Sequence, residues 1–336
     1  MRFLSLLFFL WPAVGFSQNY QLVPLPPGPK TSIRGLSVVS DQVAWVSGSH
    51  GYVGKTTNGG ATWQWMQPEG KESLDFRDIQ AFNSQKAIIV NAGSPANILV
   101  TLDGGKTWKT TYHNADPAIF LDGMDFWNAN QGIIFGDPIE HHMQLLRTND
   151  GGMSWTNISD RLKLNMAEGE AGFAASGTTI KVLGKGKVWI STGGIASNIY
   201  YSKDYGQHWS RYPLPIWSGA NSTGPFSMDF LNEQQGIVVG GDYLQDELNT
   251  NNILLTSNGG KEWKKPRVPV TGYRSGVKYI NKRLCIAVGT SGVDISTDGG
   301  QTWRLLSELS FNAVGASKDG KLVLLAGGNG LIYKLK

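Results

Sequence analysis

The octapeptide TLDGGKTW (101–108) recurs with variations at TTNGGATW (56–63), TNDGGMSW (148–155), SKDYGQHW (202–209), TSNGGKEW (256–263) and STDGGQTW (296–303). The shared pattern is Ser or Thr, any residue, Asp or Asn, any, Gly, any, any, Trp. The six tryptophans lie 45, 47, 54, 54 and 40 residues apart, a near-constant period of the kind that marks a repeat architecture. Each fixed position has a physical task. Asn58, Asp103, Asp150, Asp204, Asn258 and Asp298 can accept backbone N–H bonds and close a turn. The Gly at the fifth position permits a positive φ without steric cost. Trp63, Trp108, Trp155, Trp209, Trp263 and Trp303 open the next strand and can bury their rings against the neighbouring repeat. The leading hydroxyl can tie the turn back to the backbone. The box therefore reads as a folding device. Metal binding by its carboxylates is disfavoured, because Asn replaces Asp in two boxes and an amide weakens a cation site.

Around each box the chain is strand-like. The first repeat reads GLSVV, VAWVSG, YVGKTT, the turn, and WQWMQP. Four short strands in each period of about 45 residues, without helical periodicity, match a propeller blade. Six boxes define six blades. After the last box, FNAVGAS, KLVLLAGG and LIYKLK supply three more strands, and YQLVPL (20–25) can supply the fourth. The expectation is an all-β, single seven-bladed propeller of four-stranded antiparallel blades. Strands from the two ends of the chain close its ring, which removes two exposed edges. A six-bladed ring with terminal extras is the alternative.

Composition agrees with this. The 336 residues include 43 Gly and 12 Trp, half of the latter in the boxes, and only 17% are charged, against about 25% in an average chain. Such a profile excludes coiled coils, collagen and disorder. A formal net charge of +4 is too small to argue for nucleic acid, and basic patches interleaved with aromatics are missing. The start, MRFLSLLFFLWPAVGFSQ, has the mechanics of a signal peptide over residues 1–17. Its apolar run falls short of the ~20 residues of a membrane span. Cleavage near Ser17–Gln18 would leave a propeller over 18–336, exported to the periplasm or secreted, with no transmembrane anchor and monomeric. Cys285 sits in the apolar run RLCIAVG and reads as a buried, inert thiol. His141 and His142 are adjacent and would face opposite ways on a strand. No metal or cofactor is expected.

A box joins the third and fourth strands of its blade, so the second-to-third loops and the inter-blade linkers share the opposite face. The long insertions 136–143, 159–172, 212–226 and 240–252 collect there, as a binding rim would. The residues entering the first strands should ring the channel mouth on that face: Arg34, Arg77, Asp122, Glu170, Tyr273 and Arg274, with Asn312 beside them and Asp242 and Tyr243 closing the pocket from the 240–252 loop. Arginine and carboxylate are expected to alternate around this mouth. Such a polar pocket suits an unidentified protein or a small polar ligand. The same charges could also simply pair with one another.

The octapeptides resemble the Asp-box, or BNR repeat, carried by sialidases, xyloglucan-active endoglucanases, sortilin-type receptors and photosystem II stability/assembly factors. The overall pattern is most similar to the last group, including its bacterial, non-photosynthetic branch, notably at Ile98–Trp108 and Val293–Trp303. This resemblance covers essentially the whole chain after the leader and implies a seven-bladed propeller acting as a non-catalytic binding or assembly module. The alternative it leaves open is a glycan hydrolase, sialidase-like or endoglucanase-like, on the same face. Arg34, Arg77, Arg274, Tyr273, Glu170 and Asp122 offer the residue types of a sialidase site. The Phe/Tyr-Arg-Ile-Pro signature of that family is absent, however, and Tyr273 and Arg274, as sequence neighbours, should point to opposite sides.

Overall fold

In a computed structural model, which describes residues 19–336, the strands assemble into seven antiparallel sheets. The leader segment 1–17 lies outside the described residues. Blade 1 is Ile33–Val38, Ala44–Gly48, Val53–Thr56 and Gln64–Met66, from the channel outward. Blade 2 (Phe76–Ala81 to Lys109–Asn114), blade 3 (Leu121–Phe126 to Thr156–Asn157) and blade 6 (Gly276–Tyr279 to Arg304–Ser307) repeat this plan. Blade 7 takes Ala313–Ala316, Val323–Ala326 and Ile332–Leu335 from the end of the chain and Leu22–Pro24 from its start. The closing pair is antiparallel, with Leu22 opposite Leu335 and Pro24 opposite Tyr333. The ring is thus the seven-bladed form.

Two blades depart from the four-strand plan. In blade 5 the outer strand shrinks to a single bridge between Leu255 and Lys264. The residues that follow, Lys265-Pro266-Arg267-Val268-Pro269, carry two prolines that lack the N–H a ladder needs. In blade 4 the inner strand is split into Glu170–Ala171 and Ile180–Leu183, both paired to Lys187–Gly194. The segment between them bows into the channel. Gly177 makes the bow possible: its φ is +70°, and a Cβ there would meet the Asp78 carboxyl carbon at 2.2 Å.

The boxes behave as one repeated turn. In the second, Gly105 N–H donates to Thr101 Oγ1 at 2.9 Å, Thr101 Oγ1 donates to Asp103 Oδ1 at 2.9 Å, and Thr107 N–H donates to Asp103 Oδ1 at 3.0 Å. The first hydroxyl and fifth-position N–H make the same bond in all six boxes, at 2.9–3.0 Å. The fourth position is left-handed as well. In the fourth box a Tyr must adopt that geometry, with Tyr205 at φ +61°.

The core consists of wedges between blades. Trp108 meets Trp45 of blade 1 edge-on at 6.4 Å and joins the cluster between blades 1 and 2. Trp155, Trp209, Trp263 and Trp303 fill the next four interfaces in turn, and Trp63 fills the one between blades 7 and 1. Burial at about 25 cal/mol per Å² of apolar surface makes these wedges, the rings together with the aliphatic side chains they pack on, hold blade to blade. Around the channel, inner strands are latched by side chains. Asp78 accepts from Met124 N–H at 2.7 Å, Asp125 from Val182 N–H at 2.8 Å, and Asp229 from Tyr279 N–H at 3.0 Å. The only helical elements among the described residues are two 3-10 turns, and none is long and apolar enough to cross a membrane.

Candidate functional site at the channel mouth

Where the first strands enter on the linker face, the channel widens into a cavity of about 410 Å³. Arg34, Arg77, Asp122, Tyr243, Tyr273 and Asn312 line it, as the sequence led us to expect. Their arrangement differs from the expected alternation. Blades 1 and 2 contribute the two arginines and blade 3 contributes carboxyls, Asp122 from its inner strand and Asp137 from its second. Blades 4 to 6 contribute aromatic rings: Phe173, Phe226, Tyr243 and Tyr273. The mouth is therefore divided into basic, acidic and aromatic sectors.

In the basic sector, Arg34 Nη1 donates to Ala175 O at 3.1 Å, and Arg77 Nε donates to Asp75 Oδ2 at 2.8 Å. Burial first, and then the charge of Arg77, hold Arg34 below the ordinary guanidinium value. Arg77 thus carries Asp75 as its counter-ion, while Arg34 has only a carbonyl as its hydrogen-bond acceptor, so an anion at the mouth would offset the charge of Arg34.

In the acidic sector, Asp122 is 1% exposed, and its oxygens receive no backbone N–H and no side-chain donor other than the Asp137 carboxyl. Its neighbour is the Asp137 carboxyl, and burial followed by the Asp137 charge pushes Asp122 well above the usual carboxylate range. Burial also raises Asp137, although Gly172 N–H donates to its Oδ1 at 2.8 Å. Gly172 is required at this point, since a Cβ would lie 2.3 Å from Asp122 Oδ2. Burial and like charge in contact both work against ionising the two carboxyls together.

In the aromatic sector, Phe173 stacks on Phe226 at 4.0 Å and Tyr273 meets Phe226 edge-on at 4.8 Å. Burial raises the Tyr273 phenol, so its hydroxyl stays protonated.

Three residues expected at the mouth are placed elsewhere. Glu170 is buried behind it, accepting from Thr192, from Asn198 Nδ2 at 2.9 Å, from Tyr200 OH at 3.1 Å and from Ala167 N–H at 2.9 Å. Arg274 follows Tyr273 in extended chain, so it turns away from the channel into blade 6. There Asp294, Ser291 and Thr271 hold it with no exposure. Asp242 caps its own loop through Leu244 N–H at 2.9 Å and Gln245 Nε2 at 3.1 Å. Asp137 and the Phe173–Phe226 pair were not singled out in the sequence, although all three fall in or beside the insertions noted there. Among the described residues, no group of three His, Cys, Asp or Glu side chains converges to hold a metal ion.

At the far end of the channel, a smaller space of about 220 Å³ holds Asp229 between Lys181 and Lys278, at 3.3 and 3.2 Å. The Asp125 carboxyl acts on both lysines as a second anion.

Comparison with known proteins agrees with the propeller fold. A family profile described as Photosynthesis system II assembly factor YCF48 matches residues 81–212, and the BNR/Asp-box repeat matches residues 294–305. Among solved structures, YCF48 bound to D1 peptide superposes with a TM-score of 0.63 at 15% identity, covering 95% of each chain. YCF48 from Cyanidioschyzon merolae gives 0.63 at 16% identity, over 94% of this chain and 98% of its own. A GH74 xyloglucanase from Xanthomonas campestris gives 0.64 at 13% identity, over 94% of this chain and 53% of the enzyme. No curated protein matches by sequence. At these identities the superpositions speak for the fold alone. The chain is a seven-bladed Asp-box (BNR) repeat propeller that resembles the photosystem II assembly factor YCF48.

Proposed function

We propose that this chain is a non-catalytic binding propeller of the assembly-factor kind, which receives a protein segment or a small polar ligand at the channel mouth and rim of its linker face. The observation that carries this reading is the meeting of a charged cavity with exposed apolar loops. Leu244 is 74% exposed and Leu248 43% in the blade 5 loop, and Ile195 is 51% exposed in the neighbouring loop of blade 4. Tyr243 reaches from the same blade 5 loop into the cavity. Apolar side chains around a polar pocket fit a surface that docks a partner and orients it by charge. The D1 peptide bound to one YCF48 structure is a precedent for a propeller of this fold binding a peptide.

A glycan-hydrolase reading draws less support. Acid and base carboxyls in such enzymes stand about 5–10 Å apart, whereas Asp122 and Asp137 are in contact. The raised Tyr273 phenol is a poor nucleophile. We further propose export, because the first 17 residues have the make-up of a cleaved leader. N-terminal sequencing of the protein from its native source should then begin at Gln18.

Binding at the mouth is tested with the Arg34→Ala/Arg77→Ala double variant and with Leu244→Asp. Each should weaken at least tenfold the affinity for any partner co-purifying with the wild type, while Lys106→Ala on the box face leaves it unchanged. Equal affinity in all three variants would remove the mouth from the account.

A further inference from the structure

We propose that the channel mouth holds a small zwitterion of the α-amino-acid type. Asp137, backed by Asp122, takes the ammonium; Arg77 and Arg34 take the carboxylate; and the Phe173–Phe226–Tyr273 wall takes an apolar or aromatic side chain. This inference rests on the mouth being a binding site and names what the site binds.

The starting observation is Asp122. A carboxyl 1% exposed that receives no backbone N–H and no side-chain donor other than a second carboxyl is costly, and such groups are rare in folded proteins. Its carboxyl partner, Asp137, is partly exposed and lines the cavity. Gly172 N–H fixes Asp137 from the blade 4 side. A shared proton makes the pair tolerable in the empty site, and an ammonium, with three donors and a full charge, replaces that proton. Beside the pair, the charge of Arg77 is felt directly by Asp122. Anion and cation receptors thus adjoin on neighbouring blades, as a ligand with both charges on one carbon requires. A peptide interior carries no such adjacent pair.

The charged and titratable groups around the carboxyl pair are few. Arg77 faces it from blade 2, with Asp75 on its far side. The bowed blade 4 segment offers the Gly172 N–H and the Phe173 ring but no ionisable group. Arg34 and Tyr273 line the same cavity. On binding, the ligand keeps its own charges and the shared proton leaves for solvent. Affinity should therefore rise as the pH rises through the raised range of the pair, with one proton released.

The test is calorimetric titration of the whole protein with L-phenylalanine, N-acetyl-L-phenylalanine, which lacks the ammonium, and L-phenylalaninamide, which lacks the carboxylate. L-Phenylalanine should bind at least about tenfold more tightly than either, the scale of one charge-assisted contact. Its heat should change with buffer ionisation enthalpy, reporting the released proton. Asp137→Asn, which keeps the Gly172 bond, should lower L-phenylalanine to the level of its acetylated form. Asp122→Asn should keep the preference for ammonium but flatten its pH dependence. Thermal melts check that both variants are folded. If N-acetyl-L-phenylalanine binds as well as L-phenylalanine, and this binding still depends on Arg34 and Arg77, the ammonium site is refuted while the mouth survives as a binding site. Failure of all three compounds to bind overturns the zwitterion proposal, and the partner experiment above then decides separately on the mouth.

Discussion

Asp294 Oδ2 accepts from Arg274 Nε at 2.8 Å and lies 2.6 Å from its Nη2, with both side chains fully buried inside blade 6. Thr271 and Ser291 complete the shell. Removing one member of such a pair leaves the other charged and desolvated. Asp294→Asn should therefore cost about 3 kcal/mol or more, read as a lower urea midpoint. Mouth binding by the protein that remains folded should be unaffected. An Arg274 at the mouth would produce the reverse, lost binding with little loss of stability.

Acid should unfasten the boxes. The hydroxyl and N–H of Thr107 hold Asp103 well below the ordinary carboxylate value. Burial would raise Asp204, but the bonds it accepts from His208, Ser202 and Gln207 outweigh that and bring it down to about 2. A carboxyl depressed in the folded state contributes stability that is complete above its unfolded value near 4 and is lost as the pH falls through the folded one. Stability from these turns should thus decline between about pH 4 and pH 2. Buried carboxyls with raised values, such as Asp78, work in the opposite direction as the pH rises. The comparison that isolates the box is Asp204→Asn, whose urea midpoint should fall less steeply than that of the wild type over this interval.

The ring closure can be removed as a unit. Gln21 and Lys336 exchange two backbone bonds at 2.8 and 2.9 Å, and Leu25 N–H donates to Ile332 O at 2.9 Å. Deleting residues through 27 would bare the edge of Ile332–Leu335 and uncover apolar side chains in blade 7. The melting temperature should drop by about 5 °C or more, and size-exclusion chromatography should show new association.

Cys285 is fully buried in blade 6, and burial pushes its thiol up. A thiol reagent should label it only as fast as the protein unfolds. Rapid labelling of the native protein would contradict the packing described for this blade.

Much of the architecture was legible because each box states its own turn chemistry, so counting Trp63 to Trp303 located the blades, and YQLVPL supplied the closing strand. The reduced outer strand of blade 5 was readable in principle, from Pro266 and Pro269. The split inner strand of blade 4 was not, because the bowed segment is held by long-range neighbours, with Gly177 against Asp78 and Ser176 donating to Ser275 O. At the mouth, sequence position placed Arg34, Arg77, Asp122 and Tyr273 at the cavity but misassigned Arg274 and Glu170. One residue of register turns a side chain to the other face, and both charges find partners within their own blade. Asp137 became visible only once the fold brought it against Asp122.

The central claim is that the linker-face mouth is where this protein meets its partner. The direct measurement is site-specific photo-crosslinking in the native host, with the probe at Tyr243 beside the cavity or at Lys106 on the box face, in otherwise wild-type and Arg34→Ala/Arg77→Ala backgrounds. A discrete adduct from position 243, absent from position 106 and lost in the double variant, is the predicted result. An adduct from position 106 with none from 243, or one from 243 that is indifferent to the arginines, would contradict the account.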